Sequence, residues 1–105
     1  MSKIISTMTT ADIAEVVLPQ IQPENNTHDH LWLELRDLIP MHHDRQAVAR
    51  TLFGRRDVTR CNTQGTQLWV QLDPGRRTGK EREAFMNSMR AAIAGVVAQR
   101  IVSLR

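Results

Sequence analysis

Arginine and amide side chains give the second half of this chain a chemistry suited to polyanions. From Arg45 onward there are twelve Lys or Arg residues and four Asp or Glu, whereas the residues through Asp44 include two basic and seven acidic ones. This asymmetry favours either a half that faces a polyanion or self-association of opposite patches; a solvated arginine-rich surface is the alternative. The candidate nucleic-acid-binding residues are Arg45, Gln46, Arg50, Arg55, Arg56, Arg60, Arg76, Arg77 and Lys80.

Histidine and cysteine are the other side chains that could do chemistry. Zinc requires four converging ligands, but His28 and His30 are separated from His42 and His43 by a predicted helix of about 16 Å, so we expect no metal site. Cys61 is interpreted as a small core residue rather than a nucleophile. No carboxylate pair, phosphate-binding loop or Ser-His-Asp set is visible, and we therefore expect a binding protein without a cofactor, not an enzyme.

Three helices are predicted before residue 54. Thr9 or Thr10 can cap a first helix that ends at Pro19, because proline cannot continue the backbone ladder. The polar stretch 22–27 carries no β-pattern and is interpreted as a linker. Leucines at helical spacing predict a second helix over His28–Ile39, ended by Pro40. A third helix is predicted over Arg45–Phe53, with Asp44 as its N-cap and Gly54 as a left-handed C-cap.

A β-hairpin is predicted over residues 55–73, with a two-residue turn at Gln64 and Gly65. This register places Cys61 opposite Leu68 on the inner face and Arg60 opposite Trp69 on the outer face. The guanidinium group can cover the indole as a cation–π contact, which is the structural interpretation. Alternatively, the two side chains form a stacking platform for unpaired bases, or Trp69 is simply buried.

A long C-terminal helix is predicted over residues 79–104, with Thr78 and Glu81 as its capping box. At about 38 Å it outruns the ~26 Å diameter of a domain of this size, so part of it should protrude or find a partner. One stripe of small side chains could let a second helix approach, which favours a homodimer; packing on the chain's own core is the alternative. The small residues are Ala91, Ala94, Gly95 and Ala98.

This order of elements resembles the winged helix-turn-helix plan of small bacterial DNA-binding proteins. The resemblance implies an α+β fold, mostly α, in which the third helix enters the major groove of double-stranded DNA and the hairpin is the wing. It implies that Arg45, Gln46 and Arg50 read base edges. The remaining candidates would contact phosphates, from near the wing or from the loop that opens the last helix.

With 105 residues the chain is expected to form a single domain, residues 1–105, with residues 1–8 disordered or in a short strand. The lone cysteine fits a reducing compartment, and no apolar run approaches membrane-spanning length, so we expect a cytoplasmic protein without membrane contact. The function expected is that of a transcriptional regulator or mobile-element accessory protein. The alternative is a small adaptor or inhibitor that docks on an acidic protein.

Overall fold

The elements of the fold follow one another as α1 (Thr10–Val17), a 3-10 turn (Leu18–Gln20), β1 (Gln22–Glu24), β2 (Thr27–Glu34), α2 (His42–Phe53), β3 (Val58–Gln64), β4 (Gln67–Leu72) and α3 (Gly79–Ser103). They are seen in a computed structural model that describes residues 8–24 and 27–104. The expectation for residues 1–8 falls almost wholly outside this range. The fold is α+β, as predicted, with three helices on a four-stranded antiparallel sheet.

The sheet has the strand order β1-β2-β4-β3 and buries only one of its faces. Leu31 and Leu33 of β2 lie opposite Val70 and Leu68 of β4, and all four side chains are buried. The residues between them in sequence point to the other face and stay partly or fully exposed. The helices cover the buried face, where α1 and α2 each contribute an apolar pair at helical spacing. These pairs are Ile13 with Val17 and Val48 with Leu52.

Helix α1 begins and ends as predicted. The Thr9 hydroxyl accepts a hydrogen bond from the Asp12 backbone N–H (3.1 Å), and the Asp12 carboxylate accepts one from the Thr9 N–H (3.4 Å). This capping box satisfies two amides that the helix leaves unpaired. Pro19 then closes the helix in the 3-10 turn, whose last bond runs from the Ile21 N–H to the Leu18 carbonyl.

The prediction of a helix over His28–Ile39 is wrong, because strand β2 occupies Thr27–Glu34. Leucines at 31, 33 and 35 alternate with Trp32 and Glu34, a period of two that suits a strand with one buried face. The linker interpretation of residues 22–27 is also wrong in part, since β1 pairs with β2. No helix therefore precedes α2 directly, and residues 8–24 and 27–104 contain no helix-turn-helix pair.

Helix α2 starts three residues earlier than expected, at His42 after the extended Met41. Asp44 lies in its first turn, where a carboxylate is favoured by the positive end of the helix dipole, and does not act as the cap. Gly54 ends the helix with a φ of −74°, not in the left-handed region expected of it.

The β3–β4 hairpin is present, but its turn lies one residue later than predicted, which shifts the pairing of the two strands by two residues. Gln64 pairs with Gln67, so the loop is Gly65 and Thr66, and Gly65 supplies the positive φ (62°) that a tight hairpin turn requires. A bulge at Thr59 restores the alternation, which lets Val58 lie buried opposite Leu72.

The two central strands carry a short internal repeat. Residues 31–35 read LWLEL and residues 68–72 read LWVQL, so that Trp32 corresponds to Trp69, 37 positions later. Each copy belongs to an α-β-β unit, and the sheet order is unchanged when the two units are exchanged. Trp32 is also the register partner of Trp69. The antiparallel pairing therefore relates β2 to β4 by an approximate local two-fold axis that passes by this pair.

Helix α3 lies along the length of the molecule. Its 25 residues span about 37 Å, and the largest dimension of the described structure is 42 Å. Buried side chains occur from Phe85 to Ile101, so the chain's own core uses most of the helix instead of leaving a long protruding segment. Thr78 precedes the helix, but the predicted capping box with Glu81 is not formed. Within the described residues, no helix combines the length and apolarity needed to cross a membrane.

Candidate nucleic-acid interface

Two basic loops that are separate in sequence meet at one end of the sheet. Arg55 and Arg56 lie in the turn between α2 and β3, and Arg76 and Arg77 lie in the loop after β4. A backbone hydrogen bond of 3.0 Å from the Asp73 N–H to the Asp57 carbonyl joins the two loops. Arg60 is two residues inside β3 at the same end, and Lys80 opens α3. We call these six residues the basic end: Arg55, Arg56, Arg60, Arg76, Arg77 and Lys80.

The six residues of the basic end take no part in the ion pairs between described residues. The salt bridges between described residues join Asp29 to Arg82 and Asp44 to Arg100, with His43 beside Asp44. Among the described residues, acidic side chains of the first half of the chain pair with arginines of α3 and with none of the six residues of the basic end. All six are exposed, so they can be reached by an anion from solvent.

The loop that carries Arg76 is held by local hydrogen bonds. The Asp73 carboxylate accepts from the Gly75 N–H (2.9 Å), and the Pro74 carbonyl accepts from the Arg77 backbone N–H (3.2 Å) and guanidinium (3.1 Å). The Arg77 guanidinium also lies 4.5 Å from the centre of the Phe85 ring, a cation–π contact. Arg77 is therefore partly structural, whereas no such contact ties down Arg76 within the described residues.

Arg45 is not available for a ligand, in contrast to the prediction. Its side chain is only 7% exposed and donates hydrogen bonds to the carbonyl oxygens of Ile39 (3.0 Å) and Pro40 (2.7 Å). These hydrogen bonds satisfy two backbone carbonyl groups of the turn before α2. The local pattern could not separate Arg45 from its neighbours, because its burial depends on the path of residues 35–41.

Gln46 and Arg50 are exposed on α2 and line a groove of about 670 Å³ between this helix and β3. Phe53 forms part of the same groove and is 57% exposed. Because β3 is at the edge of the sheet, the groove runs beside a strand that pairs on one side only. Arg50 lines the groove and precedes Arg55 by five residues in the chain, so the groove lies next to the basic end.

The predicted Arg60–Trp69 pair is not formed. Arg60 lies opposite Gln71, and Trp69 lies between Asn62 on β3 and Trp32 on β2. The two indole rings stack with centroids 6.0 Å apart and planes inclined by 22°. The Trp69 Nε1 donates a hydrogen bond to the Gln67 side-chain oxygen (3.2 Å). Both tryptophans are half-buried on the face of the sheet that none of the described helices covers.

Sequence reasoning missed this tryptophan pair because it placed Trp32 on a helix. The signal that could have revealed it is the LWLEL and LWVQL repeat, which gives both segments the same strand pattern.

Cys61 has an environment that suppresses thiol chemistry. Burial raises the pKa of the Cys61 thiol to about 12, so it stays protonated near neutral pH. Among the residues that the structure describes, no three His, Cys, Asp or Glu side chains lie close enough to hold a metal ion.

The predicted stripe of small residues on α3 does not form one surface. Ala94 and Ala98 are buried in the chain's own core, whereas Ala91 is exposed and Gly95 is partly exposed. The interpretation of the stripe as core packing is therefore right for two of its four members.

Comparison with known proteins assigns the chain to no family. No protein-family model matches it, and neither a curated protein nor a solved structure shows significant similarity to it. The proposals below therefore depend on the geometry of the chain alone.

Proposed function

We propose that this chain is a small DNA-binding protein that holds the phosphate backbone at its basic end. The observation that supports this most is the hydrogen bond between Asp73 and Asp57, because it joins two arginine-bearing loops into one surface. Asp57 and Asp73 also lie there and reduce the charge of the six basic residues from +6 to a net +4. The Asp73 carboxylate accepts a hydrogen bond from the Gly75 N–H. Binding would release counterions from the phosphates, which is the main source of sequence-independent affinity.

Helix α2 would extend this surface towards the bases of double-stranded DNA. Gln46 and Arg50 are four residues apart and exposed, and such side chains can make paired hydrogen bonds with adenine and guanine edges. They would take the part that a recognition helix plays in a winged helix-turn-helix protein, with the β3–β4 hairpin as the wing. The helix that normally precedes a recognition helix is replaced by strand β2, so the docking angle would differ.

The proposal covers a regulator of transcription or an accessory protein of a mobile element, acting without a cofactor or catalysis. The proposal includes a cytoplasmic location, because the single thiol of Cys61 suits a reducing compartment. A homodimer also stays a proposal, in which the exposed positions Ala91 and Gly95 of α3 would have to carry the contact.

The experiment compares affinities for a fluorescent 20-base-pair duplex of mixed sequence at 50 mM salt. The variant Arg55→Gln, Arg56→Gln, Arg76→Gln removes three free charges of the basic end. The matched control is Arg36→Gln, an exposed arginine after β2 at the opposite end of the sheet. We expect the triple variant to bind at least about tenfold more weakly and the control to bind like wild type. Absence of duplex binding by the wild type would end the proposal.

Binding of another protein is the second candidate function, and the exposed Phe53 is the observation that favours it. The partner would be an acidic protein whose extended segment lies along the free edge of β3, with Phe53 and Arg50 in the groove. Immobilised wild-type chain, treated with nuclease, should then retain one stoichiometric partner that Phe53→Ser loses and Arg76→Gln keeps. Equal retention by the wild type and Phe53→Ser would exclude the groove as its site.

A further inference from the structure

The face of the sheet opposite the helices, here called the open face, displays mainly aromatic and amide side chains. Its central row reads Gln22, Trp32, Trp69 and Asn62 across the four strands, because these residues are register partners. On the side towards the basic end, the next row contains His30, Gln71 and Arg60; on the other side it contains Glu34, Gln67 and Gln64. The face therefore displays two aromatic rings surrounded by amide side chains, and few of its residues are charged.

We infer that this face binds the unpaired bases of a single-stranded nucleic acid, a role that rests on the proposed function. Every base has a π-face that can stack on an indole, whichever base it is. Trp32 and Trp69 each use one ring face for the other, which leaves the second face of each ring for a base. Bases in a duplex stack on each other, so only unpaired bases can use such a surface.

The amide side chains around the tryptophans suit the edges of unpaired bases. Gln71 and Asn62 each offer a donor and an acceptor, which is the pattern that base edges present. The Trp69 indole is held in place by its hydrogen bond to Gln67, so the platform is positioned before a ligand arrives. Preorganisation of this kind lowers the ordering cost of binding.

The charges on and around the face set the direction in which a strand would run. Arg60 lies one row from the tryptophans and belongs to the basic end, where phosphates would be held. Glu34 lies on the opposite side, and the hydrogen bond from the Thr66 hydroxyl helps keep the pKa of its carboxyl below the ordinary value, so it is ionised near neutral pH. A phosphate backbone would therefore leave the platform over Arg60 and avoid the Glu34 side.

The test uses the fluorescence of the full chain, whose only two tryptophans both lie on this face. The ligands are a 15-nucleotide oligothymidylate, an abasic oligonucleotide with the same number of phosphates, the oligoribothymidylate of the same length and a 15-base-pair duplex. Binding is followed in parallel by anisotropy of the labelled ligands. We expect saturable quenching by oligothymidylate and an affinity at least about tenfold above that for the abasic strand and the duplex.

Variants separate the platform from the charges. Trp69→Leu keeps an apolar side chain but removes one of the two rings, so it should lower the oligothymidylate affinity towards the abasic value, and Trp69→Phe should restore part of the difference. Arg76→Gln should weaken binding to oligothymidylate and abasic strand by the same factor. Thermal unfolding of each variant checks that the fold is kept. A preference between the thymidylate and ribothymidylate strands, which differ only in the 2′-hydroxyl, would identify DNA or RNA as the source of the bases, and equal affinity would show that the bases alone are read.

Two failures are distinguishable. Equal affinities for the oligothymidylate and the abasic strand, or binding without quenching, would overturn the platform while leaving the proposed DNA-binding function intact. Absence of binding to every ligand would overturn both.

Discussion

Trp32 and Trp69 stand opposite each other at the centre of the sheet and stack at 6.0 Å, and they also occupy equivalent positions in the repeated segments LWLEL and LWVQL. The approximate local two-fold axis that relates β2 to β4 thus passes the aromatic pair. Leu31 and Leu33 beside Trp32, and Leu68 and Val70 beside Trp69, point into the core, so each five-residue segment both builds the core and displays a ring. A strand with this alternation has to expose its tryptophan unless a further layer covers it.

Stability should depend unequally on the two ion pairs that anchor α3. Asp44 is almost fully buried, whereas Asp29 and Arg82 are both about a third exposed or more. Arg100→Leu leaves the buried carboxylate of Asp44 without its main partner and should cost about 1–3 kcal/mol of unfolding free energy. Arg82→Leu, the matched variant, should cost at most about 1 kcal/mol. Urea unfolding measures both; equal losses would contradict the account of Asp44.

Gly95 lies in the interior of α3, and no atom outside its own helical surroundings comes within 4 Å of where a Cβ would stand. Gly95→Ala should therefore stabilise the fold by about 0.5–1 kcal/mol, because alanine loses less backbone entropy in a helix. The control is Gly65→Ala, at a φ of +62°, which should cost about 1 kcal/mol although it meets no clash. Thermal unfolding of both variants checks the prediction, and a destabilised Gly95→Ala would indicate a close contact at that position, such as the proposed dimer.

Cys61 should make the fold less stable in alkali. Above an ordinary thiol pKa near 9.0 the unfolded chain loses the proton, while the folded chain keeps it up to a pKa of about 12. Unfolding then releases a proton, so the free energy of unfolding falls as the pH rises from about 9 towards 12. Below pH 9 the stabilisation by the buried, protonated thiol is fully present. Urea unfolding from pH 8 to 10.5 should show a steeper decline for wild type than for Cys61→Ala. Parallel curves would mean that the thiol is not buried in solution.

Arg50 and Arg76 should contribute differently to DNA binding. Arg50→Ala removes a side chain that can reach base edges, so it should reduce the preference between DNA sequences by about 1–3 kcal/mol at the base it reads. Arg76→Ala removes a phosphate contact and should weaken binding to all sequences by one common factor. Selection from a random duplex pool gives the wild-type preference, against which both variants are measured. An Arg50→Ala protein with unchanged preference would remove α2 from the interface.

Local signals in the sequence sufficed for the parts of the fold that local interactions decide. The capping box of Thr9 and Asp12 and the proline at 19 define α1 without help from the rest of the chain. The long helix α3 is close to the expected range for the same reason, since its apolar side chains repeat over many turns.

The parts that long-range pairing decides were not predictable in the same way. Leu31, Leu35, Leu38 and Ile39 match helical spacing, whereas Leu31, Leu33 and Leu35 match the alternation of a strand. The strand forms because β4 provides a partner 37 positions later. Six of the nine candidates, from Arg55 to Lys80, were recognisable as charges, but their meeting depends on the directions of β3 and β4. The burial of Arg45 and the stacking of Trp32 on Trp69 depend on the same pairing.

The salt dependence of duplex binding tests the central claim most directly, because it counts the phosphates that the basic end neutralises. The measurement is the slope of log K against log salt concentration between 50 and 200 mM, for wild type and for the variant Arg55→Gln, Arg56→Gln, Arg76→Gln. Each lost phosphate contact should reduce the magnitude of the slope by about 0.9, so the triple variant should lose up to about 3 while Arg36→Gln loses nothing. A wild-type slope near zero, or a triple variant with the wild-type slope, would contradict a phosphate-binding role for these arginines.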